Sequence, residues 1–275
     1  MICAWNDFLS VLPLRIRNDV DYLGREELEE LRLRCNAPPE LVFARRSIVL
    51  SIDCTREDLQ FVINAASRYS PWAAVTSAQG YITIRGGHRI GICGTVIRKD
   101  GIISGIGEVT SLCIRIARDY VDIAPEPDQI FGSVLILGAP GWGKTTLLRD
   151  LVRKISKQVC ICVADERGEI FPAGFDRGQK TDVLTGCGKG EGIEMLLRTM
   201  GPSYIAVDEI TAQTDCEAIL QATNCGVHFL ATAHAASLQE FQQRKVYHSL
   251  IYNNVFDTFL LLHRDKTITK ERAVV

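Results

Sequence analysis

The run Gly138-Ala139-Pro140-Gly141-Trp142-Gly143-Lys144-Thr145-Thr146 restricts what this 275-residue chain can fold into more than any other segment. It matches the phosphate-binding pattern G-x-x-x-x-G-K-[ST]. An apolar strand-like run, Val134 to Leu137, precedes it, and a helix-like run, Leu147 to Val152, follows. The glycines let the backbone curl so that successive N–H groups face phosphate oxygens, and the helix N-terminus adds partial positive charge. Lys144 is placed to reach the β- and γ-phosphates, and the Thr145 hydroxyl to ligate Mg²⁺. A glycine-rich turn that binds nothing is the competing reading. With every motif position filled and both flanking elements in place, the sequence is read as binding ATP with Mg²⁺.

Around this motif the second half alternates continuous apolar strands with helical segments, the mark of a parallel sheet buried on both faces. Strands are expected at Ser133–Leu137, Gln158–Val163, Tyr204–Val207, Val227–Thr232 and Val255–Leu262. Ala124-Pro125-Glu126-Pro127-Asp128 disfavours both helix and central strand and reads as a linker. It divides the chain into an expected smaller α+β domain, 1–125, and an α/β domain, 126–275. In the first, an acidic helix is expected from Arg25 to Glu30 and a second from Arg56 to Tyr69. Alternating strands are expected at Leu31–Cys35, Tyr81–Ile84, Arg89–Cys93 and Leu112–Arg118. No internal repeat or low-complexity tract is evident.

A phosphate-binding loop needs a carboxylate on a neighbouring strand to hold the metal. Tyr204-Ile205-Ala206-Val207-Asp208-Glu209 supplies one at the end of an apolar strand. Asp208 fits the metal-side carboxylate, and Glu209 the base that orients and deprotonates the attacking water. A further acidic cluster, Asp165-Glu166-Arg167-Gly168-Glu169, also follows an apolar strand. Ligands gather at the carboxyl ends of strands in open α/β sheets, so Asp165 and Glu166 should face the same cleft. An exposed charged loop is the alternative. In Gly226 to His234, His234 lies just past a strand end and is placed to sense the γ-phosphate, whereas His228 reads equally well as a core histidine. A metal site using Cys225 and His228 is discounted, because no further ligand of suitable spacing appears.

Charge is balanced along the chain: residues 1–125 carry 15 Lys+Arg against 15 Asp+Glu, and 126–275 carry 16 against 18. No basic domain or aromatic-basic stripe points to nucleic acid, and none is expected as a partner. The ten cysteines include no C-x-x-C pair, and several sit in apolar runs as small hydrophobes. A disulfide framework is not expected, which suits a reducing, cytoplasmic compartment. No stretch is long and apolar enough to span a bilayer, and the N-terminus does not read as a secretory leader.

The P-loop, the Asp165-Glu166 box, Asp208-Glu209 and the Gly226 to His234 segment, in that order, resemble the secretion-ATPase superfamily. Met195 to Pro202 is similar to the arginine-containing helix those motors carry. Within the superfamily, Glu30 to Arg34, Gly80 to Gly91, Ile114 to Arg118 and Val163 to Arg167 resemble the stage III sporulation protein AA family. That family's usual Arg-Pro after the first strand is here Ala37-Pro38-Pro39.

The resemblance implies a RecA-like ATPase domain behind a smaller domain, in a cytoplasmic homo-oligomer, a hexameric ring. The ring would dock on a membrane-embedded channel or platform protein and drive a secretion-like apparatus between mother cell and forespore. It further implies that first-domain arginines act on a neighbouring subunit's nucleotide. Arg115 is favoured, with Arg118 on the same strand and Arg177 and Arg198 as alternatives from the ATPase domain. A nucleotide-dependent assembly scaffold with negligible hydrolysis and a RecA-like nucleic-acid motor are the competing functions. Glu209 argues against the former, since a pure switch needs no base.

Overall fold

The computed structural model describes residues 2–25, 27–67, 80–172 and 174–272. The chain forms two compact units, one of residues 1–119 with 172–175, the other of 120–171 with 176–275. Among the described residues no helix is long and apolar enough to cross a membrane.

The first unit begins with two helices, α1 (Trp5–Ser10) and α2 (Leu14–Gly24). Strands β1 (Glu30–Arg34), β2 (Glu40–Val42) and β3 (Ser47–Val49) follow, then α3 (Arg56–Ser67), β4 (Tyr81–Thr83), β5 (Arg89–Lys99) and β6 (Ile102–Arg115). The strands make an antiparallel sheet in the order β3-β2-β1-β6-β5-β4. Its alternating sequences put Leu31, Leu33, Ile90, Ile92, Leu112 and Ile114 on one buried face, where they meet Phe8, Leu12, Ile16 and Leu59 of the helices.

The acidic helix expected at Arg25–Glu30 is not there. Helix α2 ends at Gly24, and Glu30 already pairs with Val42 and Arg115. A Cβ on Gly24 would stand 3.1 Å from the Leu28 side chain, so chain and side chain pack tightly where the backbone turns toward the sheet. Sheet pairing overrides the helix propensity of the Glu-rich segment. The expected α3 ends at Ser67; Arg68 and Tyr69 lie outside the described residues.

The second unit holds β7 (Val134–Gly138), α4 (Lys144–Ile155), β8 (Ile161–Asp165), β9 (Thr181–Thr185), α5 (Lys189–Met200) and β10 (Tyr204–Val207). It continues with α6 (Gln213–Asn224), β11 (His228–His234), α7 (Leu238–Gln243), α8 (His248–Tyr252), β12 (Thr258–Leu262) and β13 (Ile268–Arg272). Its sheet runs β13-β12-β7-β11-β10-β8-β9, parallel except for the antiparallel edge strand β13. The five strands expected from the sequence are β7, β8, β10, β11 and β12, with ends shifted by a few residues. The strands β7, β8 and β12 are buried along their whole length. Alternate residues feed two cores. Leu135, Ala164, Val207 and Ala231 meet Ile193, Leu196 and Ile219 on one face, while Ile136, Val163, Ala206 and Leu230 meet Leu147, Leu148 and Leu151 on the other.

Asp150 fastens the irregular segment ahead of this sheet. Its buried carboxylate accepts N–H bonds from Ile123 and Ala124, both 2.8 Å, and from Asp122 at 3.2 Å, and pairs with Arg153 at 2.7 Å. Asp150→Ala removes the acceptor for three backbone donors and one buried cation, and should cost about 3 kcal/mol or more. Urea unfolding and faster amide exchange at 122–124 measure the loss. Asp150→Asn, which keeps one acceptor oxygen, should lose less.

Candidate functional site

The loop from β7 to α4 is shaped by its glycines. Gly141 (φ +76°) and Gly143 (φ +102°) take left-handed conformations that side chains disfavour. Gly138 packs closely, since a Cβ there would sit 3.0 Å from the Leu262 carbonyl oxygen and would press that backbone away. Pro140 and Gly141 are exposed at the loop tip, and Ala139 and Trp142 are half-buried on its flanks. The Trp142 carbonyl accepts a bond from the Lys266 ammonium at 2.9 Å. Lys144, Thr145 and Thr146 form the first turn of α4, whose N–H groups have no partner within the helix.

The carboxyl ends of three neighbouring parallel strands converge on this loop. In register, His234 lies beside Gly138, and Val207 lies beside Ala231, so Asp208 and Thr232 meet just beyond. The Thr145 hydroxyl donates to Asp208 Oδ2 at 2.6 Å, and the Thr232 hydroxyl donates to Oδ1 at 2.6 Å. The Glu209 N–H donates to the Thr232 oxygen at 2.8 Å. Lys144, only 6% exposed, donates to the Ala139 carbonyl at 3.1 Å and lies 2.8 Å from His234 Nδ1. His234 Nε2 is 2.7 Å from Glu209 Oε1.

An ammonium has only donors, so His234 Nδ1 must accept from Lys144. The imidazole proton then sits on Nε2 and is donated to Glu209. A continuous relay therefore runs from the P-loop lysine through one histidine tautomer to Glu209. Burial lowers the Lys144 pKa, and the charges of Asp208 and Glu209 oppose that shift. Glu209 has φ +56°, an unusual conformation for a side chain this large, held by its N–H bond to Thr232 and by the Ile210 N–H to the Thr232 carbonyl.

The acidic box divides its labour. Asp165 and Glu166 rim a pocket together with Lys189, Asp208 and Glu209. The Asp165 carboxylate, however, is turned onto its own loop and accepts N–H bonds from Glu169, Ile170 and Phe171 at 2.9, 3.0 and 3.1 Å. Burial raises its pKa despite these bonds. Asp165 builds the wall of the pocket. Glu166 pairs with Lys189 at 2.8 Å, a bond that holds its carboxyl below the usual range.

Arg198 is exposed on α5 and pairs with Glu194 one turn away. Arg115, also exposed, belongs to the first unit and lies 3.4 Å from Glu30. Two residues at the site were missed from the sequence, Thr232 and Lys189. Thr232 was legible: it stands two positions before His234 on a strand, and alternation puts both side chains on one face.

A parallel sheet with its glycine-rich loop, a Thr-Asp pair beside that loop and a separate antiparallel unit define a P-loop protein with the secretion-ATPase fold. The fold is shared with the Legionella pneumophila ATPase DotB, at TM-score 0.63 and 16% identity over 95% of this chain and 80% of that one. It is shared equally with the pilus retraction motor PilT, solved with bound ADP, at TM-score 0.62 and 17% identity over 91% and 77%. The particular family follows from sequence. The model of the family "Sporulation stage III, protein AA" matches residues 5–274, and the chain belongs to that family. Stage III sporulation protein AA of Bacillus subtilis (strain 168) is 37% identical over 95% of this chain and 92% of its own length.

Proposed function

We propose that the chain binds ATP at the 138–146 loop and hydrolyses it to ADP and phosphate. The observation that carries this reading is the relay from Lys144 through His234 to Glu209, set beside the Thr145–Asp208 pair. Thr145 and Asp208 offer two hard oxygen donors in contact, a set that suits Mg²⁺. When bound there, Mg²⁺ supplies charge neutralisation on the β- and γ-phosphates.

The protein's own groups do the rest. The loop and first-turn N–H groups, from Gly138 to Thr146, cradle phosphate oxygens. Lys144 exchanges the Ala139 carbonyl and His234 for phosphate oxygens. Glu209 orients a water and takes its proton, while His234 fixes the Glu209 carboxylate by donating to it. Glu166 and Lys189 close the side of the pocket.

On this reading the protein is the cytoplasmic motor of a secretion-like channel between mother cell and forespore, a hexameric ring docked on a membrane-embedded partner. The family membership and the secretion-ATPase fold support it, as does the pilus motor's ADP-bound state. The domains proposed at 1–125 and 126–275 would move against each other as nucleotide turns over. Arg115, with Arg198 as the alternative, would offset charge on a neighbouring subunit's γ-phosphate.

The test is phosphate release by purified, assembled protein. Arg115→Ala should depress turnover while single-chain ATP binding stays near normal. Mixing Arg115→Ala with Lys144→Ala subunits should restore part of the activity, because an intact loop then meets an intact arginine. No release from the parent protein overturns the hydrolytic reading. No rescue in verified mixed rings overturns the shared site.

A further inference from the structure

At the opposite ends of the same strands, a second group of ligating side chains is assembled. Cys160 immediately precedes β8, Cys162 lies on β8, and Asp182 lies on β9, directly in register with Cys162. Their Sγ and carboxylate oxygen atoms all lie within 4.8 Å of one another, the one such His/Cys/Asp/Glu group among the described residues. The backbone holds them there. The Cys160 carbonyl accepts N–H bonds from Ser203 and Tyr204 at 3.1 and 3.3 Å, and the Ile161 N–H donates to the Lys180 carbonyl at 2.9 Å, which fixes β9 against β8. Cys162 is buried beneath α5, Cys160 is half-buried and Asp182 is exposed, so the group opens to solvent along the sheet edge.

The spacing suits a metal better than a disulfide. Residues i and i+2 of an extended strand point the same way with Cα atoms about 6.6 Å apart, at the far limit of the roughly 4.4–6.8 Å that disulfides span. Two thiolates on one tetrahedral zinc, each at about 2.3 Å, stand about 3.8 Å from each other, which small side-chain rotations reach from here. Two soft sulfurs also select against Mg²⁺, so the group is chemically distinct from the Thr145–Asp208 pair.

We propose that Cys160, Cys162 and Asp182 bind a thiophilic divalent cation of the Zn²⁺ class, tying the edge strand β9 to β8. Three protein ligands leave a fourth position for water or an external donor. Both thiols bind as thiolates, so the ion displaces their protons to solvent. The ion thus competes with protons for both sulfurs, and occupancy should fall as pH is lowered.

The experiment is a titration of the reduced, metal-stripped full-length protein with Co²⁺, followed by displacement with Zn²⁺. One equivalent of Co²⁺ should develop the thiolate charge-transfer and visible bands of a tetrahedral sulfur site, and Zn²⁺ should bleach them. An oxygen-only site cannot produce the charge-transfer band. Cys160→Ser and Cys162→Ser should abolish it. Asp182→Asn, which keeps both thiols, should weaken binding by more than the roughly 10–100-fold that loss of an outer partner costs. Cys93→Ser and Cys225→Ser, at exposed cysteines, should leave the band intact. No charge-transfer band in the parent protein overturns the proposal. So does a band that survives Cys160→Ser and is unmoved by Asp182→Asn, or one that depends equally on Cys225.

Discussion

Glu209→Gln should bind ATP as the parent does and release phosphate about 10²-fold or more slowly, the range expected for loss of a general base. The substitution isolates proton acceptance from geometry. His234 Nε2 donates to Glu209 Oε1 at 2.7 Å, and an amide oxygen at the same place accepts that bond equally well. The bond from the residue's own N–H to Thr232 is retained as well. Parallel measurement of nucleotide binding and single-turnover phosphate release separates the two effects. A scaffold that uses ATP only to assemble would tolerate the change in every assay. Unchanged phosphate release would remove Glu209 from the chemistry.

Lys144→Ala should lower affinity for ATP by about 10²-fold or more, because charge-assisted hydrogen bonds worth roughly 1.5–3 kcal/mol each are lost. The fold should survive. Among the described residues Lys144 bonds to the Ala139 carbonyl and His234 Nδ1, and both border the loop. Titration with a fluorescent ATP analogue, beside a circular dichroism spectrum, checks both halves. Parent-like binding would refute the assignment of the loop. Burial lowers the Lys144 pKa, and the added negative charge of a bound triphosphate would oppose that shift.

What was legible in the sequence follows the physics of each signal. A buried parallel strand needs an unbroken apolar run, so β7, β8, β10, β11 and β12 stood out. The phosphate loop stood out because its glycines, lysine and threonine are each required by geometry. Edge strands carry weaker signals. Thr181–Thr185 and Ile268–Arg272 expose several polar residues and were not among the strands expected. The Glu-rich stretch after Gly24 misled because helix propensity is local, whereas the pairing of Glu30 with Arg115 spans the whole first unit. The role of Asp165 was hidden for a similar reason. An acid at a strand end looks the same whether it faces a ligand or, as here, three N–H groups of its own loop.

The left-handed backbone at Glu209 sets two selective pressures against each other at one position. Holding a residue with a long side chain at φ +56° costs about 1–2 kcal/mol relative to the common helical or extended regions. Glycine or asparagine would relieve that cost. If Glu209 is the base proposed above, a lineage selected for thermal robustness alone would drift toward those residues here and lose it. Persistence of glutamate at this position among descendants would then be a record of selection for turnover.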